Sequence, residues 1–418
     1  MKTKLLLICF LIASFTAIKA QEITVNTGMG TGYANQVYYK ISSETTTSFV
    51  ANSWDIAFLR ESNLNQAIRV NGSIGIEVFE ASNTPADWNA IDIANEATWT
   101  QLYNSDTDWN NGAFMKGSAN TPPFGVGWGT YNPVTHHIIG SIIFVLKYAD
   151  GTYRKLIIED YFGAYTFKYS TWTGSAWSAD QTAVVANSSN PANKYNYYSL
   201  STDSEVVAEP AVADWDFVFT RYYTELAPNT MYLVTGALHS SEITVAQNEE
   251  AGGMPANPVL TYSTDINTIG YDWKSFTGAG FSVNSDSAFY VKYADNTIYR
   301  VYFSAFSGSS SGDLTFHHEN VTSLLSVSEV GESVSFGIYP NPSPNKKINL
   351  LYDVAKLSGN TNQVAIYTTS GQKVFETALR SNSGFYNKEL DLSSLKAGMY
   401  VLQFTSGDYN VTKKIVLR

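Results

Sequence analysis

The sequence predicts an all-β protein, and three features carry that prediction. Tyr, Phe and Trp number 28, 22 and 9 in 418 residues, among frequent Thr and Ser and short Gly or Asn breaks, which suits pleated strands better than helices. The stretch from Ile142 to Tyr161, IIFVLKYADGTYRKLIIEDY, alternates apolar and polar residues into an Asp-Gly turn and out again, as an antiparallel hairpin does. The same unit recurs from Ala288 to Phe306, AFYVKYADNTIYRVYFSAF, with Asn296, also tolerant of positive φ, in the place of Gly151.

Length allows roughly two to four domains, and 44% hydrophobic against 15% charged residues is ample for buried cores. Lys2 and Lys4 precede an apolar run over 5–18, and Ala20 ends a cleavage site of small-residue type, the pattern of a secretory signal peptide over 1–20. At about fourteen residues the run is too short to span a bilayer, and no other stretch reaches spanning length. The only cysteine, Cys9, lies within that run, so the mature chain excludes disulfides, thiol catalysis and cysteine metal sites. Removing Lys2, Lys4 and Lys19 moves the formal charge from −11 to −14, which argues against nucleic acid and anionic membrane surfaces as partners.

Taken in order, the chain shows an internal repeat. Asn35 opens NQVYYKIS, and Trp54-Asp55-Ile56-Ala57-Phe58-Leu59-Arg60 follows. Lys194 opens KYNYYSLS, and Trp215-Asp216-Phe217-Val218-Phe219-Thr220-Arg221 follows. Tyr38-Tyr39 thus matches Tyr197-Tyr198, Trp54-Asp55 matches Trp215-Asp216, and Arg60 matches Arg221, each series ending at its own Lys-Tyr-Ala-Asp hairpin. Both copies close on a strand, Tyr165-Thr166-Phe167-Lys168-Tyr169 in the first and Leu314-Thr315-Phe316-His317-His318 in the second. The first copy carries an insertion over 87–130, with Trp88, Trp99, Trp109 and Trp128, which reads either as a binding loop or as a cover for one end of a sheet. The Ala-, Ser- and Asn-rich stretch 178–193 reads as a linker, and 326–332 as a second break. Beyond it, short strands near 348–352, 364–367, 373–377 and 399–404 predict a small, immunoglobulin-like β-sandwich. The expected organisation is therefore a signal peptide over 1–20, β domains over 21–180 and 181–325, and a terminal domain over 326–418.

The terminal segment resembles the type A sorting domain of the type IX secretion system of Bacteroidetes. Tyr339-Pro340-Asn341-Pro342, Thr369-Ser370-Gly371-Gln372-Lys373-Val374, Leu395-Lys396-Ala397-Gly398-Met399-Tyr400 and the basic, apolar end at 413–418 carry the resemblance. It implies recognition of 333–418 by that machinery, passage across both membranes, and secretion or attachment at the outer surface. The two repeats are similar to the HmuY family of secreted haem-binding proteins, through the Trp-Asp strands and the Lys-Tyr-Ala-Asp hairpins. That resemblance implies two tandem HmuY-like antiparallel β domains and extracellular capture of haem or a related porphyrin, with an outer-membrane receptor as a further partner. The shared residues themselves are of architectural type.

A haem carrier of this kind needs one or two axial ligands, His or Met, beside an apolar slot. His136 or His137 with Met115 is one candidate set; His317 or His318 with Met231 or His239 is the other. Adjacent residues on a strand face opposite ways, so one of each pair enters a given slot. Asn104, Asp106, Asp108, Asn110 and Gly112 alternate as oxygen ligands of a calcium loop do, but an EF-hand begun at Asp106 needs Gly at Asn111 and Glu at Gly117, so a polar turn is expected and no metal site. No His-Glu-x-x-His or phosphate loop occurs, and no nucleophile with its base stands out, so no enzyme is expected. Glu159-Asp160 are strand neighbours whose carboxylates point apart. The abundant Trp and Tyr leave open a different class, an adhesin or glycan-binding surface module that keeps the fold without haem.

Overall fold

The computed structural model describes residues 21–418, apart from 61–64, 256–257, 326–333, 355–361, 381, 383 and 407–408. The expected signal peptide at 1–20 and the break at 326–332 lie outside the described residues. The chain divides into two compact units, 1–322 and 323–418. Both are built from antiparallel strands, in agreement with the all-β expectation.

The chain opens with β1 (Ile23–Gly28), β2 (Asn35–Lys40) and β3 (Thr45–Val50), then β4 (Ile56–Leu59) and β5 (Ile68–Val70). β6 (Glu77–Ser82), β7 (Thr100–Leu102), β8 (Gly129–Tyr131) and β9 (Ile138–Gly140) lead to the hairpin of β10 (Ile143–Lys147) and β11 (Tyr153–Tyr161), then β12 (Ala164–Thr171). β13 (Gln181–Ala186), β14 (Tyr195–Ser199) and β15 (Ser204–Val206) precede the long pair β16 (Phe217–Ala227) and β17 (Thr230–His239). β18 (Ile243–Glu249), β19 (Lys274–Phe276), β20 (Phe281–Val283), β21 (Ser287–Tyr293), β22 (Ile298–Phe306) and β23 (Asp313–Asn320) complete the first unit.

These strands close two cores. The first core joins the sheet β13-β12-β11-β10-β6-β7, with β9 on β11, to the sheet β15-β14-β4-β5. The second joins β1-β23-β22-β21-β18 to β17-β16-β2-β3. Both hairpins form where the sequence places them, with Gly151 at φ 84° and Asn296 at φ 66° supplying the left-handed turn residue. A bulge falls between Ile158 and Asp160 in β11, and its counterpart falls between Phe303 and Ala305 in β22.

The two cores exchange strands. β14, with Tyr197 and Tyr198, pairs with β4 of the first copy, whereas β2, with Tyr38 and Tyr39, pairs with β16 of the second. β1 extends the second core along β23, and β13 extends the first along β12 in the same register, six residues each. Gln181–Ala186, expected within a linker, is thus a strand. Its Ala-rich composition hides an alternation in which Val185 is fully buried.

The Trp-Asp aspartates hold the exchanged strands. Asp55 Oδ2 accepts the Leu200 N–H at 2.6 Å, and Asp216 Oδ2 accepts the Ile41 N–H at 2.7 Å. Leu200 and Ile41 each lie two residues beyond the Tyr-Tyr pair of the incoming strand. Tyr293 of the Lys-Tyr-Ala-Asp turn donates its hydroxyl to Asp216, and Lys40 pairs with the same carboxylate at 2.8 Å. These shared residues are architectural, as their types suggest.

The insertion over 87–130 folds into short 3-10 turns, including Pro85–Ala90, Ile93–Thr98 and Ala113–Lys116, around β7. Trp88 and Trp128 are buried, Trp128 within the first core and Trp88 against Ile143, Val145 and Ile157 of β10 and β11. In the second unit β24 (Val334–Tyr339), β25 (Lys347–Val354) and β28 (Gly384–Asp391) face β26 (Asn362–Thr368), β27 (Lys373–Leu379), β29 (Gly398–Ser406) and β30 (Tyr409–Leu417) across a core that includes Leu350, Ile366, Leu402 and Ile415. Asn341 of the Tyr-Pro-Asn-Pro segment accepts the Val416 N–H at 2.9 Å and donates to the Lys414 carbonyl at 2.8 Å, binding that motif to the last strand.

Candidate functional site

The histidines fall into three different environments. Asn132 Oδ1 accepts the N–H groups of Val134 and Thr135 at 2.9 and 3.2 Å, and its carbonyl accepts the His136 N–H at 2.8 Å. This tight loop puts His136 at φ 62° and Val134 almost wholly in solvent. His136 is therefore a turn residue rather than the strand residue its neighbour suggested. Its Nδ1 lies 2.6 Å from the Tyr131 hydroxyl, and its side chain is exposed.

His137 immediately precedes β9, which hydrogen-bonds to β11 just beyond the bulge, opposing Ile139 to Asp160. That approach requires glycine at 140, since a Cβ there would come within 1.5 Å of the Ile158 carbonyl oxygen. The pairing sets His137 Nδ1 2.7 Å from Asp160 Oδ1, and the imidazole stacks on Phe162 at 4.6 Å and 7°. A carboxylate accepts, so Nδ1 is the donor of this pair, and no hydrogen bond to Nε2 is found among the described residues. Beside the imidazole Ile139 and Phe162 are exposed apolar residues, with Phe162 62% accessible, and Phe124 and Val134 of the same segment are exposed as well. Strand neighbours were expected to keep Asp160 from any joint role with Glu159, yet cross-strand pairing gives it a partner the sequence order does not reveal.

His317 and His318 lie on β23 and alternate as a strand requires. His317 has both ring nitrogens engaged, Nδ1 with Thr24 at 3.0 Å and Nε2 with Ser304 at 2.9 Å, and stacks on Tyr302. His318 is 2% exposed; its Nε2 meets the Tyr39 hydroxyl at 2.9 Å, and burial lowers its pKa. His239 is fully buried, with Nδ1 on the Ser240 carbonyl and its pKa also lowered by burial. Met115 packs, partly buried, against the first core, and Met231 sits on β17 opposite Glu225. Of the histidines of the second core, His239 and His318 are thus buried, and His317 is tied at the surface by Thr24 and Ser304.

The oxygens of the suspected calcium loop are engaged separately. Asn104 Oδ1 accepts from Val70 and Ala113 N–H groups, Asp106 Oδ2 from Thr224 and Asn267, and Asp108 Oδ1 from its own Asn110. Among the described residues no three His, Cys, Asp or Glu side chains cluster as a metal site. Haem makes a smaller demand, because the porphyrin supplies the equatorial nitrogens and the protein only axial ligands. A histidine held at Nδ1 by a carboxylate and stacked on an exposed phenyl ring fits that demand.

The comparisons with known proteins agree with this reading of the scaffold. Residues 32–172 match the family model described as HmuY protein, and residues 337–418 match that of the secretion system C-terminal sorting domain. The first match runs from before β2 through β12 and contains His136, His137 and Asp160. No curated protein matches the chain. Among solved structures a polysaccharide lyase is similar at 7% identity and a TM-score of 0.17, over 69% of this chain and 36% of its own. No helix among the described residues is long and apolar enough to cross a membrane. The sorting domain indicates export to the cell surface or beyond it, and the chain accordingly joins a HmuY-type region at 32–172 to a secretion-system sorting domain at 337–418.

Proposed function

We propose that this exported protein captures haem, or a related porphyrin, outside the cell through the β9 end of its first core. The observation that carries the reading is the Asp160–His137 pair, which fixes the imidazole and leaves Nε2 free beside Phe162 and Ile139. His137 is the axial ligand; His136, on the adjoining turn, is the second nitrogen within the same surface. Asp160 acts as a positioning residue: as a hydrogen-bond acceptor it orients the ring and raises the basicity of Nε2. The apolar residues beside it would cover a porphyrin face, with the affinity that burial of such area provides.

Titration of the chain from residue 21 with haem, followed by absorbance, tests the reading. A saturable Soret shift that is lost in His137→Ala, and weakened in Asp160→Asn with a changed pH dependence, is expected. Absence of any shift above that of an unrelated protein removes the haem assignment and leaves the fold to adhesion.

A further inference from the structure

Arg60 and Arg221 occupy the same place after the Trp-Asp strands, yet only one has a structural duty. Arg60 donates from Nε and Nη1 to the carbonyls of Asn187 and Asn193, at 3.2 and 2.9 Å, in the β13–β14 connection. The corresponding β1–β2 connection is the short 29–34 segment, which offers Arg221 the ring of Tyr33 at 5.7 Å instead of carbonyls. Among the described residues the Arg221 side chain has no hydrogen bond or ion pair, and its Nε is buried without a partner. The other partly or fully buried arginines, Arg69, Arg154 and Arg300, all have acceptors. Leaving a guanidinium nitrogen buried and unpaired is costly.

Arg221 lines a narrow cleft, with about 70 Å³ open to the centres of water-sized molecules, between the sheets that contain β4 and β16. Tyr223 lies two residues along β16 and so on the same face as Arg221, and its ring meets that of Tyr103 edge-on at 5.2 Å. Both tyrosines line the cleft, and neither hydroxyl has a partner among the described residues. Glu77, the carboxylate that lines it, is engaged by Gln101 at 3.3 Å and by Lys147 at 3.9 Å. None of the residues around His137 lines this cleft.

We infer that the Arg221 end of the cleft is a second binding site, independent of the haem reading, for a sugar bearing a carboxylate, that is, a hexuronate. The guanidinium fork matches a carboxylate in two parallel hydrogen bonds. The Tyr103 and Tyr223 rings offer apolar faces to a pyranose, and their free hydroxyls offer partners to its hydroxyl groups.

Calorimetric titration of residues 21–418 with galacturonate and glucuronate trisaccharides tests it, with neutral galactose and glucose oligomers, inorganic phosphate and 4-hydroxybenzoate as comparisons. Saturable binding of a uronate, with its neutral counterpart weaker by roughly ten- to a hundredfold, is expected. Arg221→Gln should abolish binding, Arg221→Lys should weaken it, and Tyr223→Leu, which leaves the cation in place, should weaken it as well. Equal binding of neutral sugar, tighter binding of phosphate or hydroxybenzoate, unchanged affinity in folded Arg221→Gln, or no binding of either uronate overturns the inference.

Discussion

Asp160 and Ala305 occupy the same position, two residues past the first residue of the bulge in β11 and in β22. In the first core that position holds the carboxylate that aims His137; in the second it holds a methyl group. The histidines of the second core stand instead at the places of Lys168 and Tyr169, in a strand whose side chains alternate between a buried contact with Tyr39 and a surface network of Thr24 and Ser304. One scaffold thus carries a carboxylate-paired imidazole stacked on a phenyl ring in one half and imidazoles bonded to hydroxyl groups in the other. The two arginines differ in the opposite sense, with the first half using its guanidinium to tie a loop and the second leaving it free. A shared fold fixes where residues lie, and the local partners decide which of them remain available for binding.

The sharpest way to break the comparison is through the aspartates. Asp216 is fully buried and serves the Ile41 N–H, Lys40 and Tyr293, so Asp216→Ala should cost about 3–5 kcal/mol in urea unfolding of the first unit. Asp55 serves the Leu200 N–H, with Arg154 at 3.8 Å, and Asp55→Ala should cost about 2 kcal/mol. Equal losses would show that the two exchanged strands are held alike.

A second difference is titratable. Glu209 accepts from Tyr195 N–H and Tyr197 hydroxyl on β14, and its burial pushes its pKa up to about 7, above the ordinary 4.5. The folded state then holds the proton that the unfolded chain releases. The stabilising contribution is full below about pH 4.5 and declines as pH rises toward 7, by on the order of 3 kcal/mol. Glu209→Gln should flatten that slope; a stability rising over the same interval in the parent chain, with the variant unchanged, would contradict the assignment.

The arginines give the smallest effects on stability. Arg60→Gln removes two hydrogen bonds and should cost about 1–3 kcal/mol, whereas Arg221→Gln should stay within about 0.5 kcal/mol of the parent. Thermal unfolding of the pair distinguishes them.

The hairpins, their turn residues, the Trp-Asp strands and β25, β26, β27 and β29 of the sorting domain were legible, because alternation and turn chemistry are local, whereas β24, β28 and β30 were not read as strands. The exchange of β2 and β14 was not, since both carry the same Tyr-Tyr signal and either Trp-Asp strand can accept either one. Connection length and the contacts of Asp55 and Asp216 decide the pairing, and these are not local. The same limit applies at the site. His136, His137 and Asp160 were each visible, but their relation depends on β9 meeting β11 at a bulge, with Gly140 allowing the approach. Val185 shows the converse, an alternating strand concealed by composition that resembles a linker.

The most direct measurement is the number of haems bound per chain at saturation of the Soret difference, taken for the parent, His137→Ala and His317→Ala. One haem in the parent, one in His317→Ala and none in His137→Ala is the predicted result. Two haems per chain, or binding that survives in His137→Ala and disappears in His317→Ala, would contradict the division of labour between the two cores.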